Sequence, residues 1–261
     1  MLKNVIKKAL FEVGVKRGDT VLVHADASAV IKLLGDDNWD NALVLLKTSI
    51  VEVLGEEGTL IVPTFNWDFC RGIPYDAIKS PSKLGLFSNY ILRRPEAIRS
   101  VHPMFSFAGI GPQAESLFNG ISKSSFGHES VFDRLMKKNA RLVFLNTGFF
   151  VCTFVHHVEH MRAVPYRYTK HFTGQLTIKN ETYIDTFEFY VRDEKLAVNS
   201  YPTRLGDRML EKGLLQSSDL GRGKVLSATC GDVYNEAVSA LEEDSYFLLL
   251  HPPTAICSNI A

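Results

Sequence analysis

DTVLVHADASAV, residues 19–30, opens as a short β-branched run and ends in His24, Asp26 and Ser28, the pattern of a buried strand that delivers polar side chains to a rim. GTLIVPTF, residues 58–65, repeats the form and ends in Pro-Thr-Phe. Between them NWDNALVLLKTSIVEVLGEEG, residues 38–58, reads as a helix from an Asn38 cap to a Gly55 stop. Strand, helix, strand in this order predicts an α/β fold.

The alternation continues outward. MLKNVIKKALFEVGVKRGDT, residues 1–20, places Leu2, Ile6, Ala9, Leu10 and Val13 at helical spacing and turns at Gly18. Residues 71–85, rich in Pro, Gly and Ser, read as a loop, and LFSNYILRR after them as a helix that Pro95 stops. SVFDRLMKKNA is a helix capped by Ser130 or Glu129, and RLVFLNTG is a strand ending in Asn-Thr-Gly. From Tyr168 the texture changes: KHFTGQLTIKNETYIDTFEFYVRD alternates around an IKNET turn, as an antiparallel hairpin does. TRLGDRMLEKG then reads as a helix, and GRGKVLSATCGDVYNEAVSALEED as strand and helix. The expected architecture is a mixed-sheet, three-layer α/β core with an antiparallel β addition in the last third. Residues 1–165 form the core with the chemical motifs, and residues 166–261 a hairpin and C-terminal α/β part intertwined with it.

Composition narrows the function. The 261 residues are 46% hydrophobic and 22% charged, with 17 Phe and 9 Tyr, which excludes disordered and fibrous classes. Lys plus Arg equals Asp plus Glu at 29 each, so no overall field draws nucleic acid or an anionic membrane. SYFLLLH near residue 250 is only strand-sized, no apolar run approaches a bilayer span, and no signal-length core opens the chain. Cys70, Cys152, Cys230 and Cys257 stand far apart and are expected as reduced thiols in a cytoplasmic protein. The expected partners are small molecules, with no nucleic acid or membrane, for a monomer or homodimer.

Chemistry concentrates at element ends. In CTFVHHVEHMRAVPYR, residues 152–167, a helix beginning at Thr153 puts His156, Glu159 and His160 on one face and turns His157 away. A His–Glu pair on one face suits general-base catalysis, because the carboxylate orients the ring and raises its basicity. The same face could supply metal ligands, although the order HHVEH is not the HExxH of zinc proteases, or it could be a solvated polar face. His24, Asp26, His156 and His160 define the metal-dependent hydrolase that stands as an alternative from another class. IRSVHPMFSFAGIG, residues 98–111, offers a His-Pro, Ser106 and two glycines that permit close backbone approach, suited to a phosphate or a pantetheine amide.

Together these stretches resemble the aminoglycoside 3-N-acetyltransferases and the wider antibiotic N-acetyltransferase-like superfamily. VHADASAV is similar to the family's His-Ser-Ser strand end, GTLIVPTF to its Gly-Thr-Leu-x-x-Pro-Thr-Phe strand, RSVHPMFSFA to its Arg-Ser-x-His-Pro-x-x-Ser-Phe-Ala segment and TFVHHVE to its Thr-x-x-His-x-x-Glu. The resemblance spans residues 2–165 in order. It implies acyl transfer from acetyl-CoA or a longer acyl-CoA to an amine, with His156 as base and Glu159 beside it. It also implies that Ser100, His102, Ser106 and Thr153, with His24 and Asp26 at the strand end, line the coenzyme.

Two departures shape the acceptor expectation. Phe150 and Cys152 stand where the family carries an acid and an amide, and the neutral chain continues into a basic YRYTKH where a polycationic drug would call for acid. The sequence therefore predicts a nucleotide-linked amino-deoxysugar of surface polysaccharide or lipopolysaccharide biosynthesis as acceptor. Arg162, Arg167, Tyr168 and Lys170 would hold its phosphates and base, and Phe150 would line its pocket. Aminoglycoside 3-N-acetylation, the resistance reaction, is the alternative.

Overall fold

The structure, a computed structural model, describes residues 2–35 and 38–255. In chain order the elements are α1 (Leu2–Glu12), β1 (Thr20–Ala25), α2 (Ser28–Leu34), α3 (Trp39–Leu54), β2 (Thr59–Pro63), β3 (Tyr75–Asp76), α4 (Leu86–Leu92), β4 (Ile98–Arg99), β5 (Phe107–Ile110), α5 (Ala114–Phe118), α6 (Val131–Lys137), β6 (Arg141–Leu145), α7 (Val155–Met161), β7 (Arg167–Ile178), β8 (Glu181–Arg192), α8 (Thr203–Glu211), β9 (Gln216–Leu220), β10 (Gly223–Thr229) and α9 (Cys230–Glu243). Seven strands form one mixed sheet in the order β4-β5-β2-β1-β6-β10-β9, and β3-β7-β8 form a second.

The expected α/β class with a mixed sheet and an antiparallel addition is borne out. β1 pairs in parallel with both β2 and β6, while β5 and β10 run antiparallel to their neighbours. The strands alternate between two cores, as their period of two requires. Val21, Val23, Leu60 and Val62 face α1 to α4, where Ile6, Val30, Leu46 and Ile91 are fully enclosed. Leu22, Ile61, Phe107 and Phe144 face the opposite layer of α5 to α9 and the hairpin, built around Phe65, Phe126, Phe132 and Phe154. Both faces of the central strands are therefore covered, which is why β1 and β2 read as unbroken apolar runs.

Caps and turns fall where the sequence places them. The Asn38 side chain accepts from Asn41 N at 2.9 Å to open α3, and Ser130 caps α6 through Asp133 N at 3.3 Å. Lys179 and Asn180 carry φ of 50° and 68° between β7 and β8, the paired left-handed turn that matches hairpin twist. One reading needs correction, and the structure defines two further stretches. The loop at 71–85 contains the short strand β3, which pairs with β7. SYFLLLH is a turn rather than a strand: Leu248 and Leu249 are buried, and Leu249 makes a single bridge to Ser200. The edge strand β9, QSSDL, buries only Ser218 and Leu220, so it carries no apolar signature. Of the four cysteines, Cys257 lies outside the described residues, and Cys70, Cys152 and Cys230 are free thiols.

Gly111 holds the first prediction. Its φ is +128°, and an added Cβ would meet the Gly58 carbonyl oxygen at 2.3 Å and the Thr59 Cα at 2.8 Å. The glycine thus serves close packing of the loop after β5 against the start of β2, not a ligand. Gly111→Ala combines a backbone clash with left-handed strain and is expected to cost about 2 kcal/mol or more in urea unfolding, with the m-value unchanged.

Candidate active site

β1 and β6 lie side by side at the centre of the sheet, and their carboxyl ends open where α/β sheets collect ligands. Asp26 follows β1, its amide held by the Leu145 carbonyl at 2.9 Å. Its carboxylate accepts from Ser28 N at 2.9 Å, Ser28 Oγ at 2.6 Å and Asn146 Nδ2 at 2.8 Å. Asn146, in a left-handed turn at φ 54°, ties the ends of β1 and β6 together. Composition and spacing did not single it out, although the Asn-Thr-Gly strand end marked the position.

The chain then runs through Phe149–Val151, a single 3-10 turn, into α7. Val155 and Val158 anchor α7 in the core, and His157 donates from Nδ1 to the Phe126 carbonyl at 2.6 Å. His157 is thus a satisfied core histidine, turned away as its spacing predicts. His156 and Glu159 do meet: His156 Nδ1 lies 2.6 Å from Glu159 Oε2. Tyr166 OH donates to Glu159 Oε1 at 2.9 Å, and Arg167 Nε stands 2.8 Å from Oε2. Glu159 is fully buried, with each oxygen engaged.

His160, though on the same face, stacks on Tyr190 at 4.5 Å and leaves the dyad. Among the described residues no three or more His, Cys, Asp or Glu side chains could hold a metal ion, so His24, Asp26, His156 and His160 do not form the hydrolase site.

The electrostatics favour an uncharged base. Burial pushes His156 below its ordinary value, the Arg167 charge pushes it further, and Glu159 opposes both without prevailing. Burial raises the Glu159 carboxyl, but His156, Arg167 and the Tyr166 hydroxyl outweigh it and hold the group below the ordinary carboxylate value. A carboxylate 2.6 Å from Nδ1 fixes the proton on Nδ1 and leaves the Nε2 lone pair free. His156 Nε2 makes no hydrogen bond among the described residues, and 23% of the side chain is open. This is the geometry of a general base.

The other expected residues divide. Ser100 Oγ accepts from Phe107 N at 2.8 Å, Ser106 Oγ donates to the Thr64 carbonyl at 2.9 Å, and both serines are enclosed. His102 Nδ1 accepts from Met104 N and Phe105 N at 3.3 and 3.1 Å, and its ring is separated from His156 by Phe105 and Phe126. These three side chains stabilise a buried turn. His102 Nε2 on this turn, His24 Nε2 on the strand end, and Thr147 Oγ1 and Thr153 Oγ1 on the segment joining β6 to α7 are buried without a partner. Phe150 is exposed and its ring covers Gly148, and Tyr168 is exposed on β7. Arg162 pairs with Glu242 on α9 at 2.9 Å, and Lys170 with Glu194 at 2.9 Å. A cavity of about 520 Å³ adjoins the dyad through Arg167 and is lined also by Phe189, Arg192, Asp193, Glu194 and Asn199.

His24 and His102 carry a stability prediction. Burial pushes His24 down to about 4 and His102 to about 3, against 6.5 in the unfolded chain. Below pH 6.5 the unfolded chain takes up protons that the folded one refuses. Each residue therefore removes about 1.4 kcal/mol per pH unit until its folded value is reached. The urea midpoint is expected to hold above pH 6.5 and to fall steadily from there to pH 4, and His24→Phe should flatten part of that slope.

Comparison with known proteins places this geometry. The family model described as aminoglycoside 3-N-acetyltransferase matches residues 22–242. Aminoglycoside N(3)-acetyltransferase IV of a Salmonella species is 29% identical over 251 residues, covering 94% of this chain and 88% of that protein. Aminoglycoside N(3)-acetyltransferase IX of Micromonospora chalcea is 26% identical, covering 91% and 92%. Among solved structures, the apoenzyme of aminoglycoside acetyltransferase AAC(3)-IVa superposes with a TM-score of 0.76 at 26% identity, over 96% of this chain and 91% of that one. The binary complex of AAC-IIIb with CoASH has a TM-score of 0.79 over 93% and 97% of the two chains, and at 18% identity it speaks for the fold alone.

Proposed function

Because the chain belongs to the aminoglycoside 3-N-acetyltransferase family and is an acetyl-CoA-dependent N-acetyltransferase, we propose that it acetylates a cationic amino sugar of the aminoglycoside type with His156 as general base. The observation that carries the reading is the His156 Nδ1–Glu159 contact at 2.6 Å, which leaves Nε2 free. An amine attacks the thioester carbonyl carbon only as its free base, and Nε2 takes the proton that the nitrogen sheds. Collapse of the tetrahedral intermediate breaks the C–S bond. The same proton then passes from Nε2 to the leaving sulfur, giving the amide and the coenzyme thiol. No acyl-enzyme is needed.

Thr153 Oγ1, buried and unpartnered just before α7, is the donor proposed for the carbonyl oxygen, where developing negative charge is stabilised by a preorganised hydrogen bond. The proposed coenzyme arm runs from there along Thr147, His24 and Asp26 at the strand ends. Ser100, His102 and Ser106, which the resemblance sets along the coenzyme, are proposed to act on it only through the buried turn they hold.

The acceptor sits in the cavity beside Arg167, where Asp193 and Glu194 meet its ammonium groups. The Lys170–Glu194 pair is exposed, so a substrate ammonium can replace Lys170 at little cost. A nucleotide-linked amino sugar, the acceptor expected from the sequence, is the weaker reading, and the relatives favour the aminoglycoside alternative. Of Arg162, Arg167 and Lys170, only Arg167 lines the cavity, and its guanidinium is spent on Glu159 and Ser200.

Coenzyme release from acetyl-CoA, measured with gentamicin, apramycin and UDP- and dTDP-linked amino sugars, tests the reading. Turnover with an aminoglycoside and not with the nucleotide sugars is expected. A nucleotide sugar preferred at least tenfold in kcat/KM, or no acetylation of any aminoglycoside, would overturn it.

A further inference from the structure

Arg167 stands at the start of β7, and its side chain is only 5% exposed. Its Nε is 2.8 Å from Glu159 Oε2, its Nη2 is 3.3 Å from His156 Nδ1, and Nη2 also donates to Ser200 Oγ at 3.0 Å. Directly across the hairpin from Arg167 is Arg192, whose Nη1 donates to the Val198 carbonyl at 3.0 Å. Two guanidiniums in register are unfavourable on a sheet unless something compensates them. Glu159 is that compensation for the buried one.

We infer that Arg167 is a positioning residue that supplies the counter-charge of Glu159 and thereby keeps His156 in the uncharged, Nδ1–H form that accepts a proton at Nε2. The inference rests on the reading of His156 as the base. With no other cation nearby, a buried carboxylate favours the protonated form of the histidine beside it, because the imidazolium then supplies its counter-charge. Such a ring already carries the proton it is meant to take. With a guanidinium on the same carboxylate oxygen, the trio of Arg167, Glu159 and neutral His156 sums to zero. Protonating His156 leaves a buried net positive charge with two cations in contact.

The distances agree on which bond forms. At 2.6 Å the carboxylate takes the Nδ1–H, whereas the guanidinium at 3.3 Å lies beside the nitrogen without capturing its lone pair. The charged groups that face His156 are Glu159 on its own helix, Arg167 on β7 and Arg192 on β8. Phe126, which packs against the ring from the third side, brings no charge. Both arginines push the ring toward its neutral form, and the buried one pushes harder.

The test is the pH dependence of kcat/KM for acetyl transfer in the wild type, Arg167→Lys and Arg167→Met. In Arg167→Met the acid limb is expected to move up by about one pH unit or more, a tenfold loss on the acid side that alkaline pH restores, and Arg167→Lys should lie between. A loss equal at all pH values, or a rise in the acceptor KM with the limb in place, would overturn the inference. Should Arg167→Met fail to fold, 15N-histidine spectra of the wild-type protein decide: His156 is expected as the Nδ1–H tautomer, titrating below 6.5. An imidazolium persisting above that pH would count against the inference. His156→Ala separates the two levels. If that variant still turns over, the base assignment itself fails; if it is dead while the Arg167 limb stays put, only this inference does.

Discussion

His156→Ala is expected to lower kcat by about 10² to 10⁴-fold, the range that a positioned general base supplies. KM for acetyl-CoA should change little, because no coenzyme contact is assigned to the imidazole. The wild-type rate should fall on the acid side with a midpoint below 6.5, since burial first and Arg167 second lower His156 and the base works only when unprotonated. Steady-state kinetics from pH 5 to 8 measure both effects. An acid limb centred above 6.5 would mean that Glu159, not burial, governs the ring.

Glu159→Gln has the second large effect, and it acts on stability as well as rate. The substitution leaves the Arg167 guanidinium nearly buried without a counter-charge, and breaking a buried pair from one side costs about 3–5 kcal/mol. Against a typical total of about 5–15 kcal/mol, the variant should unfold at much lower urea. Its rate should also fall, because a neutral amide holds the Nδ1–H tautomer more weakly and supports the developing imidazolium less. Removing both charges together, as Glu159→Gln with Arg167→Met, is expected to regain part of the lost stability. If the double variant is no more stable than Glu159→Gln alone, the charge pair is not what anchors α7 to β7.

The sequence made much of this legible, and for physical reasons. β1 and β2 are covered on both faces, so they appear as apolar runs, and α3 and α6 carry their caps in plain view at Asn38 and Ser130. The His156–Glu159 pair could be read because three-residue spacing fixes a shared helix face. What could not be read depends on contacts between distant segments. β9 is polar because it is an edge strand, and β3 is too short to show a period. Arg167 looked like part of a basic surface in YRYTKH, but the start of β7 turns it inward onto Glu159 while Lys170 stays outside. Tyr166, seven residues beyond Glu159, reaches back to it only because the turn at Ala163, with φ 47°, reverses the chain. Ser100 and Ser106 carry motif-like spacing, yet their hydroxyls hold a buried turn around Phe107 and Thr64.

The measurement that bears most directly on the account follows the acetyl group itself. Purified protein, acetyl-CoA and an aminoglycoside such as apramycin would be mixed, with wild type and His156→Ala side by side, and product followed by mass spectrometry together with coenzyme thiol. The account predicts one acetyl group on an amine for each thiol released by the wild type, no acetylated protein, and a variant slower by about 10²-fold or more. A variant that acetylates the drug as fast as the wild type, or an acetylated protein that forms and decays at the turnover rate, would contradict it.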